Sequence, residues 1–100
     1  MDQSLPLSKL WLRFGGAMRI PINSAEDIGT AIRTARKQQG LRQDDLAAVV
    51  GSSHVFLRDV ESGKPTVQLG RVLRILQELG ISLEMDFPDS PRKVRKGPSR

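Results

Sequence analysis

The sequence predicts an all-α fold of four to five helices closed by one short β-strand, on three observations. Between Ser24 and Gly80, apolar residues recur every three or four positions, the period of a helix with one buried face. Gly40, Gly51, Gly63 and Gly80 punctuate that pattern where short helices must stop and turn. Residues 81–87, Ile-Ser-Leu-Glu-Met-Asp-Phe, then alternate apolar and polar without exception, the period of a half-buried strand.

The elements follow in chain order. Met1 to Ala17 carries Leu5, Leu7, Leu10, Trp11, Leu12 and Phe14, but Pro6 and Gly15-Gly16 break any long helix. It reads as a poorly ordered extension before a natural start at Met18, with a short docking segment as the alternative. Met18 to Ile22 suits an extended arm or an edge strand, Ile20 and Ile22 flanking Pro21. Ser24 is placed to cap the first helix, with Asp27 three residues on as a capping-box variant and Glu26 and Asp27 near the positive end of the helix dipole. Ile28, Ala31, Ile32 and Ala35 form its buried stripe, and Gly40 ends it.

Gly40 to Lys64 holds the most specific spacing in the chain. Ala47, four residues before Gly51, is small enough for two helices to approach closely, and Gly51 takes the positive φ of a sharp turn without steric cost. Ser53 then caps the next helix. Helix two is expected from about Gln43 to Val50, with Leu46, Ala47 and Val50 facing inward, and helix three from about His54 to Ser62, with Leu57 and Val60 facing inward. This is the pattern of a DNA-binding helix-turn-helix, in which helix two lies across the duplex backbone and helix three offers its N-terminal side chains to the major groove. Gly63-Lys64-Pro65 ends helix three, because proline cannot extend it. Thr66 is read as the cap of a fourth helix whose apolar face is Leu69, Val72, Leu73, Leu76 and Leu79, stopped by Gly80.

A lone strand leaves its backbone edges unpaired. For residues 81–87 the nearest partners are the arm around Ile20 or the same strand of a second copy, and the second copy is preferred because a two-fold dimer suits a palindromic DNA site. Ile81, Leu83, Met85 and Phe87 would line that dimer strand. The organisation is therefore an extension over 1–17, a helix-turn-helix domain over 18–80, a dimerisation strand over 81–87 and a basic, disordered tail over 88–100.

Composition narrows the function. At 100 residues and 38% apolar content the chain supports one small core. The net charge of +5 is concentrated in the tail, where Arg92, Lys93, Arg95, Lys96 and Arg100 oppose only Asp89, so the basic character says little about the folded part. With no cysteine, no tyrosine and one histidine, the common acid, base, nucleophile and metal-ligand sets are nearly absent, and no phosphate-cradling glycine loop with its lysine is present. An enzyme, a cofactor and a metal site are not expected. No apolar run approaches the roughly 20 residues that cross a bilayer and no secretory leader is visible. A soluble, cytoplasmic, nucleoid-associated protein is expected.

Gln43, Leu46, Ala47, Gly51, Leu57, Glu61, Gly63 and Lys64 together resemble the Xre/Cro-repressor family of helix-turn-helix proteins, over about residues 24–80. The fold implied is lambda-repressor-like. The run from Glu61 to Gly80, continued by a strand, resembles the HipB-like antitoxin branch. The resemblance implies that Gln43 donates to a phosphate and that Ser53, His54, Val55 and Arg58 face the bases or adjoining phosphates. In that frame His54 meets a base edge, Val55 a thymine methyl and Arg58 a guanine or a phosphate, while Phe56 belongs to the core. Asp59 sits at the rim or pairs with Arg58. Arg42 stands where relatives carry a capping Thr or Ser, which weakens the cap and adds a cation for phosphate; Lys64 is a further phosphate contact. Arg36 and Glu61 match an interhelical ion pair of related repressors.

Arg71, Arg74, Gln77 and Glu78 form the polar face of helix four, read as a solvated surface or a partner-protein surface. The tail reads as a solubilising segment, a DNA-wrapping arm or a toxin contact. The resemblance implies a dimeric repressor that binds palindromic operators in double-stranded DNA and neutralises a HipA-like toxin kinase. The alternatives are a stand-alone phage-type or metabolic regulator, and a protein-interaction adaptor that has lost DNA binding.

Overall fold

The structure, a computed structural model, describes residues 18–90. The expectations for residues 1–17 and for most of the basic tail fall outside the described residues. Among the described residues four helices form: α1 (Ala25–Gln38), α2 (Gln43–Val49), α3 (His54–Glu61) and α4 (Leu69–Glu78). The fold is all-α, as the periodicity predicts.

Local chemistry starts and stops the first three helices. Ser24 caps α1, its Oγ accepting from Asp27 N at 3.2 Å, and the Asp27 carboxylate reaches back to Asn23 N at 2.8 Å, one residue beyond the usual capping box. The α1 end closes with Leu41 N donating to Arg36 O at 3.1 Å, and the α2 end repeats this closure with Ser52 N donating to Ala47 O at 2.8 Å. At the second of these, Gly51 has φ +68°, a conformation that any residue with a Cβ adopts only under strain. Arg42 is the N-cap of α2 and its guanidinium has no acceptor atom. The cap is accordingly one-sided: Arg42 N donates to Asp45 Oδ2 at 3.1 Å and nothing replaces the missing Thr or Ser hydroxyl.

The core draws one fully buried side chain from each helix: Ile32, Leu46, Leu57 and Ile75. Ala47, Val50, Val60, Val72, Leu76 and Leu79 complete it, with Ile28, Ala35, Leu41, Phe56, Val67 and Ile81 packed around the edge.

The fourth helix departs from expectation. It starts at Leu69 with Gln68 as a cap that makes no side-chain bond, so Thr66 does not cap it. The residues after Pro65 form a turn that folds Val67 onto the core, and helical geometry begins only beyond it. The buried stripe is therefore Val72, Ile75, Leu76 and Leu79, whereas Leu69 and Leu73 lie on the exposed flank.

After Gly80 the chain runs from Ile81, which rests against the core, to Met85 and Phe87, each 81% exposed. No strand pairing forms among the described residues, within the one chain present. The arm comes alongside through side chains only, Arg19 Nη1 donating to Glu84 Oε1 at 2.9 Å on the surface.

Candidate nucleic-acid interface

α3 is held from behind by backbone as well as by side chains. Gly29, in the middle of α1, lies against the end of α3 so closely that a Cβ there would overlap the Val60 carbonyl oxygen and stand 2.8 Å from that of Glu61. Ala47, buried at the α2 crossing, serves the same closeness on the other side. α1, α2 and α3 are thereby fixed as one unit around the Gly51 turn.

A chain of hydrogen bonds runs from that packed interior to the surface. Arg36 of α1 meets Glu61 of α3 in a two-pronged ion pair, Nε to Oε2 at 2.6 Å and Nη2 to Oε1 at 3.0 Å, while its Nη1 donates to Leu41 O at 2.7 Å. Both side chains are more than nine-tenths buried, 9% and 4% exposed. Gln43 Nε2, at the start of α2, donates to Glu61 Oε1 at 3.0 Å. His54 Nε2, at the start of α3, lies 3.0 Å from Gln43 Oε1. The first residues of α2 and α3 are thus tied to each other and, through Glu61, to α1.

The remaining residues singled out from the sequence group around this chain. Ser53 caps α3 by accepting from Phe56 N at 3.0 Å, and His54, Val55 and Arg58 are exposed beyond it. Arg42 is exposed at the start of α2 with its guanidinium 3.6 Å from the carboxylates of Asp44 and Asp45. Asp59 does not pair with Arg58: its Oδ2 sits 3.6 Å from Lys64 Nζ, because Lys64 returns past the last turn of α3. The Arg58 side chain makes no ion pair or hydrogen bond with the described residues, while its carbonyl accepts from Ser62 N at 3.0 Å.

Two residues support this arrangement in ways their spacing did not indicate: Arg71, expected only on the solvated or partner-facing polar side of helix four, and Gly29. Arg71 of α4 stacks its guanidinium 4.4 Å from the Phe56 ring centroid and donates to Ser52 Oγ at 3.1 Å, pinning α4 to the turn between α2 and α3. Nothing local signals that contact, which joins residues 15 to 19 positions apart. Gly29 did carry a signal: glycine in a helix interior costs about 1 kcal/mol relative to alanine, and its presence there points to a steric demand.

Two short helices locked at a glycine turn, with the first residues of the second exposed and a third helix bracing it, define a DNA-binding helix-turn-helix domain. Residues 32–85 match the Helix-turn-helix family HTH_3, and the chain belongs to that family. The chain is 49% identical over 72 residues to an uncharacterised HTH-type transcriptional regulator of Sinorhizobium fredii (strain NBRC 101917 / NGR234), y4mF, a match covering 72% of this chain and 95% of the relative. Among solved structures it superposes on a chain of the HipA-HipB-O2-O3 complex with a TM-score of 0.64 and 25% identity, over 69% of this chain and 97% of that one. A chain of the HipB-O4 20mer complex superposes with a TM-score of 0.63, also at 25% identity and over the same shares. The protein is a DNA-binding transcriptional regulator, and its family is not an enzyme class. No helix among the described residues is long and apolar enough to cross a membrane.

Proposed function

We propose that the protein is a homodimeric repressor of a palindromic operator and the antitoxin of a HipA-like toxin. The similarity to a chain of the HipA-HipB-O2-O3 complex, running over 97% of that chain, carries the antitoxin part of this reading. In it α3 enters the major groove, with Ser53, His54, Val55 and Arg58 toward the bases and Arg42, Gln43 and Lys64 toward phosphates. Gln43 keeps this role while bonded to Glu61, since an amide NH2 has a second hydrogen. Arg36 and Glu61 are architectural. The exposed Leu69, Leu73, Leu83, Met85 and Phe87 favour a second copy pairing along residues 81–87, because a group of large apolar side chains in water is the usual mark of an interface. Such a dimer acts in the cytoplasm, on nucleoid DNA.

The relative from Sinorhizobium fredii, a transcriptional regulator, supports the regulator part of this reading, and the second reading is a stand-alone regulator. A mobility-shift titration on the protein's own promoter, with and without the product of the adjoining gene, separates the two. The antitoxin reading expects a shift by the protein alone and a larger, tighter complex when the neighbouring kinase is added. A shift unaltered by the neighbour, together with no inhibition of that kinase, leaves the stand-alone regulator.

A further inference from the structure

The hydrogen-bond chain that ends at His54 has a fixed polarity. The Glu61 carboxylate only accepts, so the Gln43 amide must present its NH2 to Glu61, which leaves its carbonyl for His54. That carbonyl also only accepts, so His54 Nε2 must carry a hydrogen. In the neutral ring Nδ1 then bears the lone pair. Protonation converts Nδ1 from an acceptor into a donor and leaves the Nε2 bond to Gln43 intact.

His54 is exposed at the first residue of α3 and is the one histidine in the chain. Histidine is also the side chain whose ordinary titration falls between about pH 5 and 8. We infer that His54 is a pH-dependent specificity residue: held by Gln43, it accepts from the exocyclic amine of adenine or cytosine when neutral and donates to guanine N7 or O6 when protonated. The inference rests on the proposed docking of α3 in the major groove.

The surrounding charges are already engaged or lie to the side. Arg36 of α1 and Glu61 of α3 neutralise each other. Arg42 of α2 lies beside Asp44 and Asp45, and Arg71 of α4 is bonded to Ser52. Asp59 is matched with Lys64, and Arg58 of α3 is the remaining cation on the same helix. The added charge of an imidazolium is therefore met by the nucleic acid and by no carboxylate bonded to the ring.

The test is selection of bound sequences from a random duplex library at about pH 8 and about pH 5.5, the two sides of the histidine range. For the full-length protein, one position in each half-site should change from adenine or cytosine to guanine, with relative preference shifting about tenfold, the scale of one base contact. His54→Gln should select the same base at both pH values. Gln43→Ala, which frees the ring to expose either nitrogen, should blur the preference at that position at the higher pH. A wild-type preference that does not change with pH overturns the inference, as does a change that persists in His54→Gln. Failure to enrich any sequence at either pH overturns the docking of α3 itself, a result distinct from enrichment without a pH response.

Discussion

Glu61 accepts hydrogen bonds from two helices, from Arg36 on α1 and from Gln43 on α2, while itself standing on α3. Removing one partner of a buried pair strands the other charge, so Arg36→Met should cost about 3–5 kcal/mol in urea unfolding. Arg36→Met with Glu61→Leu should lose less than that single variant, and a loss under about 1 kcal/mol for Arg36→Met would refute the structural role. Gly29 makes a prediction of opposite sign to the general rule. Glycine to alanine in a helix interior ordinarily gains up to about 1 kcal/mol, yet here the new Cβ would strike the Val60 and Glu61 carbonyls. Gly29→Ala should therefore lower the melting temperature; a rise would show that α1 and α3 can separate freely. Residue-scale features were legible where they are local or match a known pattern. Ser53 could be read as a cap from its place before an apolar run, and Arg36 and Glu61 could be matched through the family. The Arg71 contacts and the Gln43–His54 bond depend on how distant turns meet, which no spacing states.

At the scale of elements, three helices agree with their periodicity to within a residue at each end, and the fourth does not. Thr66 has the chemistry of a cap, but burying Val67 takes precedence over starting the helix early. The apolar residues of α4 outnumber what one core can cover. Ile75 is fully buried, while Leu69 remains 63% exposed on the flank. Residues 81–87 show the same surplus, since Leu83, Met85 and Phe87 are exposed along with the polar residues between them. Alternation identifies a strand and is silent about its partner, which is why this element was legible as a pattern and not as a pairing. If the partner is a second copy, deleting residues 81–100 should weaken self-association more than deleting 88–100. Sedimentation velocity over a concentration series measures this, and identical behaviour of the two truncations would count against the strand.

For the whole molecule, charge separates regulator from adaptor. The excess cations lie in the tail, so truncation at residue 87 should flatten the salt dependence of binding to random duplex while leaving a measurable preference for the operator. Loss of preference along with the salt slope would mean that the folded part does not read sequence. The bracing of α3 bears on how such reading works. With the α1 backbone against one side, a buried ion pair across its end and a stacked arginine pinning the adjoining turn, α3, the helix proposed to enter the groove, has little room to tilt or slide. A domain held this firmly adapts poorly to an imperfect site, and the duplex must supply the deformation. In the proposed dimer, discrimination among sites then depends on how readily the base steps between the half-sites bend, so operator variants altered only there should differ in affinity.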